Sequence, residues 1–128
     1  MNGLYSPLRR ARGLGAGKHA VHHWWMQRLT AIALLPLTAW LGWSVSGLVG
    51  AGPLAWTAWL AQPTVAVGFT AWLLALYYHA ALGVQVVIED YVHTPWLHWT
   101  LRIANTVGHA VLALAAVLAV IRIAVIRI

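Results

Sequence analysis

The side chain best placed for chemistry in this chain is a histidine deep in an apolar run. His79 lies within that run, which ends at Glu89 and Asp90, the only two acids among 128 residues, followed by Tyr91. An ionisable group at membrane depth is costly, so it is a functional candidate by default. A neutral imidazole can bind a haem iron axially, and a haem needs an apolar wall around it. On the residues alone, a hydrogen bond to a neighbouring helix is the other use of His79. One histidine supplies one axial bond, so a bis-histidine site takes its second ligand from another chain. His109 is an internal alternative, although an interhelical hydrogen bond suits it better.

Helical geometry sorts these residues by face. At about 100° and 1.5 Å per residue, Trp72, Ala75, His79, Gly83, Val86 and Asp90 fall on one stripe. Gly83, one turn from His79, removes bulk where a flat ligand would approach. Tyr91 is turned about 120° from His79 and lies about 18 Å further along the axis. Asp90 and Tyr91 therefore sit at the mouth of the span, where a quinone headgroup would lie. A tyrosine hydroxyl can donate a hydrogen bond to a quinone carbonyl, and an acid can relay protons or hold a basic partner. An interfacial tyrosine beside solvated acids is the plainer reading of the same pair.

The elements that must position these groups are membrane helices. The chain is 62% hydrophobic and only 8% charged, with a mean hydropathy of +0.75, whereas soluble domains carry roughly 25% charged residues. Its apolar residues fall in three long blocks, which predicts an all-α integral membrane protein with three transmembrane helices, at about residues 24–49, 64–91 and 96–126. Three spans enclose little by themselves, so they are expected to join a larger helix bundle with partner subunits. The net charge of +6 is carried by residues flanking the spans, which points to membrane orientation and lipid rather than nucleic acid. With no cysteine, the chain has no thiolate metal site, iron–sulfur ligand or catalytic thiol.

Residues 1–23 form a basic, glycine-rich arm ahead of a single membrane domain at 24–128. Within the arm, Gly13 to Lys18 imitate a phosphate loop, but a Walker motif needs glycine at Arg12 and Ser or Thr at His19, and no strand precedes it. The uncharged run at 29–49 is too long for a signal-peptide core, so the first span is expected to stay uncleaved. Trp24 and Trp25 suit one interface, Trp56 and Trp59 the other, and Pro36 predicts a slight kink. Arg28, a turn inside the tryptophans, either snorkels to the headgroups or pairs with an anionic cofactor group or acid. Residues 50–63 read as a connection, and Pro95 as the stop that separates the last two helices. Four basic residues in the arm plus Arg28 predict a cytoplasmic N-terminus, which places the Glu89-Asp90-Tyr91 turn on the same side. Arg122 and Arg127, at the far end, weigh mildly against that orientation.

The run His79-Ala80-Ala81-Leu82-Gly83-Val84-Gln85-Val86-Val87-Ile88-Glu89-Asp90-Tyr91 closely resembles the H-x-x-x-G-x-x-x-(V/I)-x-x-D-Y signature of succinate dehydrogenase hydrophobic membrane anchor subunits. The stretch from His22 to Ile32 resembles the segment entering the first helix of that family. The resemblance implies that His79 is one axial ligand of haem b, with the other from a cytochrome b-type membrane subunit. It also implies that Tyr91 hydrogen-bonds ubiquinone with Asp90 beside it, and that Arg28 and His22 approach a haem propionate; His23 could serve in place of His22. The implied role is to anchor the flavoprotein and iron–sulfur subunits of a succinate:quinone oxidoreductase, complex II, at a bacterial inner membrane. A haem-free quinone anchor and a fumarate reductase membrane subunit are the nearest alternatives. A small transporter or assembly scaffold, with His79 and Asp90 along a proton path, is the alternative of another class, but both acids lie at one end of the span.

Overall fold

The computed structural model describes residues 17–126, which form four helices and no strand. They are α1 (Gly17–Ser46, 30 residues), α2 (Pro53–Leu60, 8 residues), α3 (Pro63–Tyr91, 29 residues) and α4 (Pro95–Ile126, 32 residues). Three are long and apolar enough to cross a membrane, over Val21–Ser46, Pro63–Tyr91 and Pro95–Val125. The chain is an all-α, multi-pass membrane protein.

Proline sets most of the boundaries. Pro53 and Pro63 each occupy the first turn of a helix, where the missing N–H would have had no partner in any case. Val92, extended at φ −105° and ψ 101°, closes α3, and α4 starts three residues later at Pro95. The sequence-based ends of α3 and α4 agree with these to within a residue. Two expectations need correction. α1 runs from Gly17 to Ser46 rather than from about 24 to 49: the histidine- and alanine-containing stretch before Trp24 holds no proline and continues the helix, and residues 47–50 form a turn after it. Residues 50–63 are more than a connection: Gly50, at φ +80°, makes the turn, and α2 follows it at once. The remainder of the basic arm, with Arg9, Arg10 and Arg12, lies outside the described residues, as does Arg127. Pro36 lies inside α1, where it leaves the Ile32 carbonyl without its usual amide donor, yet the helix carries on past it.

The third helix is the hub. α1 and α4 both pack against α3 rather than against each other, and α2 touches α3 and α4. Accordingly the buried core among the described residues is Val65, Leu73, Leu82 and Ile88 on α3 with Val120 on α4. Side chains such as Trp43 and Leu54, each 83% exposed, face outward from the bundle. In a membrane such surface meets lipid tails or other helices, so packing rather than water exclusion holds the spans together.

The α1–α3 seam is antiparallel and tied at three depths. Gln27 and Thr30 meet His79, the Trp72 indole N–H donates to Thr38 Oγ1 at 3.0 Å, and Trp40 lies over Gly68. A Cβ on Gly68 would come within 2.9 Å of the Trp40 ring, so glycine is what lets the two helices approach. Aromatic clusters mark the ends of the spans: Trp24 with Trp25 at one, and Trp56, Trp59, Phe69 and Trp72 in sequence at the other.

Gly68→Ala is expected to destabilise the protein by about 1–3 kcal/mol, the usual cost of overpacking a tight contact. Thermal unfolding in detergent measures it, and adding Trp40→Phe to the same chain should recover part of the loss.

Candidate functional site

His79 is half-buried on the face of α3 that meets α1, and both ring nitrogens find polar neighbours there. Nδ1 lies 2.9 Å from Thr30 Oγ1 and Nε2 lies 3.4 Å from Gln27 Nε2. The helix-to-helix hydrogen bond that the sequence left open is therefore present. It engages Nδ1 closely and Nε2 only at the limit of hydrogen-bond reach. The space over Gly83 is not bare: a Cβ there would meet the Gln27 amide at an ordinary 3.7 Å. Within this chain the neighbour over Gly83 is Gln27, and a Cβ there would be accommodated.

Gln27 is poorly satisfied in that position. Its Oε1 is buried without a partner, a state that costs about 1–3 kcal/mol for a buried polar group. A ligand approaching His79 Nε2 displaces a flexible side chain with a weak contact on one atom and none on the other. The residues thus fit a group that takes one bond from Nε2. Among the described residues no three histidines or acids gather as a metal cluster. His79 Nε2 can give a single bond to a metal ion that other ligands hold.

A cavity of about 570 Å³ opens beside this point, between the start of α1, the Tyr91 end of α3 and Arg102 of α4. His22, His23, Gln27, Gln85, Glu89 and Arg102 contribute its polar lining. His22 is exposed, whereas His23 is half-buried and its Nε2 has no partner, so His23 is the better placed of the two for a polar group entering the cavity. Glu89 accepts a hydrogen bond from Gln85 Nε2 at 2.8 Å and pairs with Arg102 at 3.7 Å. Arg28 is exposed and lies over the Trp24 ring at 4.6 Å, a cation–π contact rather than an ion pair with either acid.

Asp90 and Tyr91 are placed apart from these groups. Both are exposed at the end of α3, Tyr91 to 79%, and neither lines the cavity. His79 and Tyr91 thus address different surroundings, the α1 seam and the open end of the span. His109 departs from expectation. It does not bridge helices but bonds through Nδ1 to the Asn105 carbonyl of its own helix at 2.9 Å, since a ring one turn on can reach that acceptor locally. It lines a second cavity of about 430 Å³ between α3 and α4, with Tyr77, Tyr78 and Asn105.

With this geometry in view, similarity to known proteins becomes informative. The chain matches the family described as succinate dehydrogenase/fumarate reductase transmembrane subunit over residues 2–122. It is 35% identical over 95 residues to the succinate dehydrogenase hydrophobic membrane anchor subunit of Rickettsia bellii, covering 74% of this chain and 76% of that protein. The proteins of the same description from Rickettsia conorii and Rickettsia felis are 33% and 35% identical over 95 and 80 residues, spanning 75% and 67% of their own lengths. No solved structure matches the chain.

Several polar residues of the seams escaped sequence reasoning: Gln27, Thr30, Gln85 and Asn105. The usable signal was polarity itself, an amide or hydroxyl inside an uncharged span, which is retained only where it finds a partner. Asn105 Nδ2 donates to the Ala81 carbonyl at 2.9 Å and ties α4 to α3. Asn105→Leu is expected to weaken that association by about 0.6–1.7 kcal/mol. A lower unfolding midpoint in detergent, without loss of helical circular dichroism, is the expected observation.

Proposed function

This chain belongs to the succinate dehydrogenase/fumarate reductase transmembrane subunit family, and from that premise we propose that it is the hydrophobic membrane anchor of a succinate:quinone oxidoreductase. In this role it docks the flavoprotein and iron–sulfur subunits at a bacterial inner membrane, with its N-terminus cytoplasmic, and pairs with a cytochrome b-type membrane subunit. The observation that carries the reading is the match across residues 2–122 on a chain with three spans. The outward-facing apolar side chains of α1 and α4 suit a bundle completed by partner helices.

Within that complex His79 would hold haem b through Nε2, together with a residue of the partner cytochrome subunit. Arg28 and His22, with His23 beside them, are the cationic and hydrogen-bonding groups available to propionates at the same end of α1. The haem, when bound, provides a one-electron relay near the quinone. Tyr91 donates a hydrogen bond to a ubiquinone carbonyl at the exposed mouth of α3, and Asp90 handles one of the two protons that accompany two electrons in forming quinol. The electrons come from the iron–sulfur subunit, in keeping with the absence of cysteine here. A haem-free anchor is the second reading: in it Gln27 keeps its 3.4 Å contact with His79 Nε2, the nitrogen a haem would otherwise take.

Purification through a tag on this chain is expected to bring down a flavin-containing and an iron–sulfur subunit with succinate–quinone reductase activity; recovery of the chain without them contradicts the docking role. Tyr91→Phe should lower quinone reduction about tenfold, the worth of a good hydrogen bond, while succinate oxidation with an artificial acceptor persists. Equal loss of both activities would point to failed assembly instead of a quinone contact.

A further inference from the structure

Thr30 is the residue of α1 that meets the nitrogen of His79 opposite the one proposed for iron. Its Oγ1 lies 2.8 Å from the Met26 carbonyl oxygen, 3.0 Å from that of Gln27 and 2.9 Å from His79 Nδ1. A threonine hydroxyl has a single hydrogen to give and two lone pairs to receive. In a helix that hydrogen goes to a carbonyl of the preceding turn, and both such carbonyls are in range here. Oγ1 then meets Nδ1 as an acceptor. In a neutral imidazole this puts the ring hydrogen on Nδ1 and the lone pair on Nε2. The opposite tautomer would aim an N–H at Gln27, whose amide nitrogen lies 3.4 Å away and would first have to exchange places with its oxygen.

A metal-bound histidine is oriented by what its other nitrogen donates to, and an acceptor there also raises the basicity of the ligating nitrogen. We propose that Thr30 is a positioning residue for the haem site: by accepting the Nδ1 hydrogen of His79 it fixes the tautomer in which Nε2 is the ligand, and it tunes the electron donation of that ligand. This rests on the reading of His79 as an axial ligand. The hydroxyl is held in turn by its own backbone bond, so ring orientation is set by α1 while the ligand itself belongs to α3. A valine at position 30 would match threonine in shape but leave the Nδ1 hydrogen without its acceptor.

The test uses the assembled complex carrying Thr30→Val, Thr30→Ala, Thr30→Ser or, as control, His79→Ala, and reads haem retention and reduction potential. Thr30→Val and Thr30→Ala are expected to raise the potential, because a less basic ligand favours ferrous over ferric iron. They should also weaken haem retention about 10- to 100-fold. Thr30→Ser keeps the hydroxyl and should restore both values. Wild-type potential and retention in Thr30→Val and Thr30→Ala would overturn the positioning role. So would a shift in Thr30→Ser as large as in Thr30→Val, which would be a packing effect. Retention of haem in His79→Ala would instead remove the ligand reading itself, so the two failures are distinguishable.

Discussion

A polar contact between two membrane helices, with no water to replace it, organises this protein. His79 reaches from α3 to Thr30 and Gln27 on α1, and those three residues fix the rotation of each helix about its own axis. The contacts below it in the same seam, Trp72 with Thr38 and Trp40 over Gly68, hold the same antiparallel register. Once that seam is set, α3 presents Leu82 and Ile88 to its neighbours and Tyr91 to the open end. The cavity lined by His23 and Gln27 follows from the same placement.

The architecture is one of shared surfaces. The buried core among the described residues is small, and most of it lies on α3, because α1 packs only on that helix and α4 on it and the short α2. A subunit of this kind gains stability from lipid and from partner helices, and its sites open where partners are expected. In the proposed role His79 gives a single bond to the haem, and Tyr91 stands exposed at the rim, outside the cavity beside Gln27. The proposed role needs both to be incomplete: a haem bridges two chains, and a quinone lies where membrane and peripheral subunits meet.

Much of this was legible in the sequence, because hydropathy blocks and proline positions report directly on membrane helices. Spans α3 and α4 were bounded to within a residue, and the separation of His79 from Tyr91 followed from helical rotation. The early start of α1 was hidden by basic residues that read as an arm, and α2 by a proline that reads equally as loop or helix start. The contacts that matter most, Thr30 and Gln27 with His79 and Asn105 with Ala81, depend on the register between helices distant in sequence. Periodicity within a single helix carries no information about that register. It also could not show that His109 bonds within its own helix, since the local acceptor and a neighbouring helix compete for the same ring.

The central claim is that the α3 histidine facing Thr30 carries the iron. It is tested most directly by the reduced-minus-oxidised optical spectrum of the complex purified through this chain, with wild-type and His79→Ala compared at equal flavin content. The account predicts a sharp α-band in the wild type that is lost in the variant while the flavin remains. An undiminished α-band in His79→Ala would contradict it.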